Sequence, residues 1–385
     1  MNRTMRINVL AFVSFLIGTS QFAVSGFLDQ LVAAMHMTIA AAGQFNTAYA
    51  LAYALGTPVI IRRTARMDRR TLMLLALSFF SIGNLITALF ANAFIFAMSR
   101  VIVALGSGTA IVAALTIAAR IAVKGKKGQA MAKVTVGFTL ALILGIPAGR
   151  MLSAALGWQS VFLVITGFGL LAVLVICVTV PNVCGGEPVA LSKQLCLLKN
   201  QEVVAGLLIT LFWLGGYAVI YLYISPYLLK GLHLPAGYLT AALLVFGIAC
   251  FIGSKIGGYC VDHFGLIVTL SFSMVVNSLT LSLLAMSDGH PLCIFLFLFL
   301  WSAAVWCTQP AQLYHLATVM PEQSGLLLGL NQSVSQLAMA GGAAIGGDVI
   351  SARSIGSLTM LGNLGVGLAL LIVWRLYRLK RHAPV

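Results

Sequence analysis

Long apolar runs separated by short polar loops recur along the whole chain, and that rhythm decides the fold class before any motif is read. A helix needs about 20 mainly apolar residues to cross about 30 Å of hydrocarbon. Twelve such runs are predicted, at 8–28, 42–61, 71–90, 94–115, 129–153, 160–180, 203–223, 237–259, 266–286, 291–312, 324–350 and 357–375. Hydrocarbon offers no hydrogen bonds, so each run must satisfy its own backbone, as an α-helix does. Composition agrees: 61% of residues are hydrophobic and 8% charged, where a soluble domain carries about a quarter charged. An all-α membrane protein is expected.

The net charge of +15 could point to nucleic acid. Its distribution argues otherwise, because the basic residues gather in patches between apolar runs and do not interleave with aromatics. With the N-terminus inside, the inner segments hold Arg3, Arg6, Arg62, Arg63, Arg66, Arg69, Arg70, Arg120, Lys124, Lys126, Lys127, Lys193, Lys199, Arg375, Arg378, Lys380 and Arg381. The outer loops hold Lys230 and Arg353, with Arg150 near an outer end. Basic loops stay cytoplasmic, so both termini are expected to face the cytoplasm. Residues 181–202, with Pro181, Gly185, Gly186, Glu187 and Pro188, interrupt the rhythm and divide the runs six and six. The expected organisation is an N-terminal six-helix bundle at 1–180, a cytoplasmic linker at 181–202 and a C-terminal six-helix bundle at 203–385. Internal repeats of this kind place a substrate site near the bilayer midplane.

The basic segment Met1–Arg6 leads directly into an apolar run that is followed by another, so the first helix is expected to be retained rather than cleaved. Seven scattered cysteines form no CxxC pair and no zinc spacing, which predicts buried free thiols, no metal and no cofactor. HExxH, GxSxG and P-loop patterns are absent, so an enzyme is not expected.

Motifs narrow the class. The loop after the second run reads Gly56-Thr-Pro-Val-Ile-Ile-Arg62-Arg63-Thr64-Ala65-Arg66-Met67-Asp68-Arg69-Arg70. It resembles the signature loop of the major facilitator superfamily, G-x-x-x-D-R-x-G-R-R, with Ala65 at the motif Asp and Asp68 at the motif Gly. The T-x-R-x-D-R-R form is similar to the arabinose, sugar and purine efflux branch of the twelve-span drug/proton antiporters. A related copy, Gly253-Ser-Lys255-Ile-Gly-Gly258-Tyr-Cys-Val-Asp262-His263-Phe-Gly265, occupies the matching place in the second half. Ser99-Arg100 through Gly106 resembles the family's R-x-x-x-x-x-G element. Gly137 through Gly145-Ile-Pro147-Ala-Gly149-Arg150, followed by Gly157-Trp158-Gln159, resembles the antiporter motif of exporters, with Gln159 where Arg is usual. Glycines four apart let a neighbouring helix approach, and Pro147 frees a backbone carbonyl so the helix can bend. The resemblance implies a major facilitator fold with Gly56, Arg66, Asp68, Arg69, Arg70, Gly145, Pro147, Gly149, Gly258, Asp262 and Gly265 as conformational motif positions.

Candidate ligand contacts are polar and aromatic residues inside apolar runs, each of which needs a partner in a dry setting. They are Gln21, Asn46, Trp213, Tyr217, Tyr221, Trp306, Gln309, Gln312 and Asn331, and the same runs also hold Trp301, His315 and Gln336. Single members serve equally as interhelical glue. Gln21 stands where relatives often carry an acid, so it cannot carry a proton. Among eight acids, Asp29 and Asp348 lie within reach of the membrane. Asp29 is expected to pair with Arg100 and carry the coupling proton, the bland alternative being a helix end at a wet interface. Asp348 is offered Arg353. An Arg at the depth of Arg100 is costly unless paired or hydrated. The resemblance implies a monomeric carrier in a bacterial inner membrane, exporting a drug, sugar or nucleobase-like solute in exchange for protons. Its partners are that small molecule, protons and lipid, with a proton-independent facilitator or importer as the alternative.

Overall fold

The computed structural model describes residues 3–123, 127–184, 197–320 and 323–382. Most of the predicted linker, with Glu187, and also Lys124, Lys126, Lys193 and Glu322, lie outside the described residues. The described residues fold as helices with no strand: α1 Arg3–Gly26, α2 Leu28–Ala34, α3 Ile39–Leu51, α4 Thr57–Arg63, α5 Arg69–Leu89, α6 Ala93–Ile121, α7 Lys127–Leu140, α8 Ile146–Leu156 and α9 Trp158–Thr179. They continue as α10 Gln201–Tyr221, a single turn at Ile224–Pro226, α11 Leu239–Phe264, α12 Leu266–Ala285, α13 Pro291–Val319, α14 Ser324–Ala352 and α15 Leu358–His382. Ten stretches among the described residues are long and apolar enough to span a membrane. At the second and eleventh predicted positions stand Ile39–Arg63, a helix interrupted by a π turn, and the 29-residue α14.

Proline shapes two of these helices. A π turn at Ala52–Gly56 ends two residues before Pro58, and another at Ala141–Gly145 ends two residues before Pro147. Pro has no N–H to give the carbonyl four residues back, and the wider turn accommodates that loss.

By their contacts the residues form two compact units, Met1–Thr38 with Ala48–Val189, and Ile39–Thr47 with Ala190–Val385. In the first unit α5 packs on α6 and α9, and α1 on α7 and α8. The α1 seam is set by small residues. A Cβ added at Gly137 would lie 2.0 Å from the Ala11 carbonyl oxygen, at Gly145 2.6 Å from the Thr19 hydroxyl, and at Gly149 3.0 Å from the Ala23 Cβ. In the second unit α13 packs on α11 and α12, and α10 on α14 and α15. Gly253 and Gly257 ride on the Ala303 and Cys307 carbonyls, each 2.1 Å from where a Cβ would stand. Gly258, the glycine picked out by the motif, faces open space.

The outward faces are apolar. On α9, Leu163, Leu170, Leu174 and Val178 are exposed, whereas Phe162, Ile165, Gly169 and Ile176 are buried. Such a surface suits lipid rather than water.

Candidate functional site

In the second unit, Trp213, Tyr217 and Tyr221 recur every four residues along α10 and share one face. The Tyr217 and Tyr221 rings stack at 4.9 Å with 7° between planes. Trp301 of α13 leans on Tyr217 at 5.8 Å, and Trp306 meets it edge-on at 6.4 Å. Phe246 of α11 stacks on Tyr221 at 5.6 Å. Three helices thus supply one aromatic cluster, its rings packed on one another. The Trp213 indole nitrogen, within this unit, is buried without a hydrogen-bond partner.

Amides sit further along the same face. Gln312 donates its Nε2 to the Gly206 carbonyl and, at 2.9 Å, to the Thr210 hydroxyl, which donates to Asn331 Oδ1 at 2.7 Å. Gln312 and Asn331 therefore bind α10, α13 and α14 together, while the Gln312 and Gln336 side-chain carbonyls stay buried and unpartnered. A buried polar atom without a partner costs free energy, so these carbonyls and the Trp213 N–H are positions where a hydrogen-bonding ligand gains most. Gln309 is half-buried one turn before Gln312. Asn46 belongs to the short stretch that groups with the second unit and is buried with Nδ2 unpartnered.

In the first unit the expected pairing of Asp29 with Arg100 does not occur. Asp29 Oδ1 accepts from Arg150 Nη1 of α8 at 2.5 Å, with side-chain exposures of 15% and 10%. The seam explains the choice: the contacts from Ala11 through Thr19 to Ala23 carry α1 along α7 and α8, so the next turns set Asp29 beside Arg150. Arg100 lies deeper, opposite Ser20, whose carbonyl takes its Nη2 at 2.9 Å. Nine residues separate Ser20 from Asp29, about 13 Å along a helix. The guanidinium lies 5.0 Å from the Tyr49 ring centre and 5.6 Å from that of Phe162. The Gln21 side-chain carbonyl is buried and unpartnered. The pairing offered to Asp348 fails too, since Asp348 and Arg353 are both exposed and form no ion pair among the described residues.

The first motif loop pins the end of α9. Asp68 caps α5 by accepting from the Thr71 N–H at 3.1 Å, and its second oxygen accepts from the Val183 N–H at 2.7 Å. The Arg69 N–H donates to the Val183 carbonyl at 2.8 Å, and Arg70 donates to Asn182 Oδ1 at 2.9 Å and to the Cys177 carbonyl. Asp68 thus does the anchoring expected of an acid at position 65, where buried Ala65 only lends its carbonyl to Arg69 at 2.9 Å. Arg66 is exposed, and a Cβ on Gly56 would strike the Leu105 side chain. In the second loop Asp262 is exposed and makes no ion pair among the described residues, while Gly265 turns the chain at φ +79°.

Sequence reasoning missed Thr210, Tyr49, Arg150 as a partner, and Phe246. Thr210 carried a usable signal, because it lies on the helical face shared by Gly206, Trp213 and Tyr217. Tyr49 and Phe246 are ordinary aromatics in apolar runs until their neighbours are known.

Comparison with known proteins agrees with this architecture. Residues 10–343 match the Major Facilitator Superfamily. The chain is 48% identical over 371 residues to the Uncharacterized MFS-type transporter YbcL of Bacillus subtilis (strain 168), covering 96% of this chain and 95% of that one. It is 26% identical to a Probable sugar efflux transporter of Mannheimia succiniciproducens, over 96% of this chain and 92% of that one. A solved D-xylose-proton symporter shares the fold at a TM-score of 0.80 and 17% identity, covering 97% and 98% of the two chains. The chain belongs to the Major Facilitator Superfamily and is a multi-pass membrane transporter of small solutes.

Proposed function

We propose that this transporter exports a small organic solute, a drug, sugar or nucleobase-like compound, by alternating access in exchange for protons. In this reading twelve spans form two six-helix bundles, the protein works as a monomer in a bacterial inner membrane, and both termini are cytoplasmic. The observation that carries the substrate side is the α10 face: stacked Tyr217 and Tyr221, the unpartnered Trp213 N–H, and the unpartnered Gln312 and Gln336 carbonyls beyond them. Rings to stack on and neutral groups to hydrogen-bond suit a polar solute with little net charge. The similarity to a sugar efflux transporter and the Gly145-Ile-Pro147-Ala-Gly149 motif support the outward direction.

Asp29 carries the proton in this reading, with Arg150 rather than Arg100 as its counter-charge. Protonating Asp29 dissolves the pair, and that exchange of partners couples proton movement to the tie between α2 and α8. The test is transport of labelled arabinose and uracil by purified protein in liposomes, with and without an imposed pH gradient. Wild type should accumulate solute against its gradient when pH-driven, and Asp29→Asn should lose accumulation while retaining solute exchange. Full pH-driven accumulation by Asp29→Asn removes Asp29 from the mechanism. A wild type indifferent to the gradient favours a facilitator, the reading that Gln21 at the usual acidic position supports.

A further inference from the structure

Among the described residues, Arg100 is a cation without a counter-ion. It sits seven residues into α6, about 10 Å along the helix, and its surface is 2% exposed. The ion pairs among the described residues are Arg150 with Asp29 and His233 with Asp288, and Arg100 is in neither. Its Nη2 donates to the Ser20 carbonyl, and Nη1 has no partner among the described residues. Ser20 and Asn84 are already engaged with each other. Ser20 donates its hydroxyl to Asn84 Oδ1 at 2.8 Å, and Asn84 Nδ2 donates to the Phe80 carbonyl at 2.8 Å. The faces of Tyr49 and Phe162 offset part of the burial cost by cation–π attraction, but a ring face gives the Nη1 nitrogen no hydrogen bond. A guanidinium remains charged throughout the physiological range, so it cannot escape the cost by losing its proton.

We infer that Arg100, flanked by Tyr49 and Phe162, is a subsite for the acidic group of an organic anion or zwitterion, a carboxylate received at the unpartnered Nη1. This rests on the transport reading above and gives its cargo a chemical class: a solute with a flat apolar part and one acid. A planar carboxylate matches the guanidinium fork, and aromatic walls on either side favour a ring carrying it.

The test is thermal unfolding of the purified full chain in nanodiscs of phosphatidylcholine, with benzoate and benzamide as matched acidic and neutral probes. Benzoate should raise Tm by several degrees and benzamide should not. The benzoate shift should vanish in Arg100→Gln and persist in Arg353→Gln, which removes an exposed charge. Should Arg100→Gln fail to fold, Arg100→Lys, which keeps the charge but not the fork, should show a reduced shift. Equal shifts from the two probes overturn the proposal, as does a full benzoate shift in either Arg100 variant. Phosphatidylglycerol in the discs distinguishes a solute from a lipid headgroup: abolition of the benzoate shift at modest lipid content would overturn the solute assignment. The assay needs no gradient and no turnover, so its outcome is independent of the proton-exchange test.

Discussion

Replacing Arg150 by Gln takes one partner from a pair that closes at 2.5 Å with both side chains at least 85% buried. Removing one member of a fully buried pair costs about 3–5 kcal/mol, because the other charge is left in a medium that solvates it poorly. Two features reduce that figure here. Residual exposure of 10% and 15% lets water reach the survivor, and Gln can still donate one neutral hydrogen bond worth about 1 kcal/mol. A loss of about 2 kcal/mol is expected for Arg150→Gln, and a similar loss for Asp29→Asn. The double variant buries two neutral amides that can bond each other, so it should lose no more than either single, a coupling energy of about 2 kcal/mol. Reversible unfolding in mixed dodecylmaltoside and SDS micelles, followed by tryptophan fluorescence, measures all three variants. Additivity within about 0.5 kcal/mol would mean that the pair does no work in the fold, and the partner-exchange account of coupling would go with it.

Other expectations follow from the same geometry. Gly137→Ala must push α7 away from the Ala11 carbonyl and should cost about 1–3 kcal/mol, whereas Gly258→Ala meets nothing and should be neutral or stabilising by up to about 1 kcal/mol; both are read by thermal unfolding. Asp68→Ala loses the α5 cap and the Val183 contact together, so protease cleavage between 177 and 184 should accelerate while Arg66→Ala leaves it unchanged. Tyr217→Ala removes the centre of the aromatic cluster and should weaken solute binding at least tenfold in a thermal-shift titration, with Tyr217→Phe keeping most of it.

The helical class and the apolar runs were legible because hydrocarbon leaves the backbone few solutions, and span length is set by bilayer thickness. The aromatic face of α10 was legible too, since a period of four is visible in the chain. Partners across the seams were not. Arg100 and Arg150 both lie toward the same end of their runs, and only the approach of Gly145 and Gly149 to α1 decides which reaches Asp29. Gln312 and Asn331 read equally as ligand contacts or interhelical glue until Thr210 and the Gly206 carbonyl were seen to hold them. That Ile39–Thr47 groups by its contacts with the second unit was not legible, because long-range packing leaves no mark in a run that is apolar throughout.

The π turns at Ala52–Gly56 and Ala141–Gly145 each hold one residue more than an α turn needs. That residue is slack. If such a turn tightens to α, everything beyond it must rotate by about 100°, the angle of a single α-helical residue. Arg150 lies five residues past the second π turn, so a change of register there would swing its side chain away from Asp29 without unfolding any helix. The prolines that follow keep the slack at fixed addresses, and a helix built this way is a screw with a marked stop.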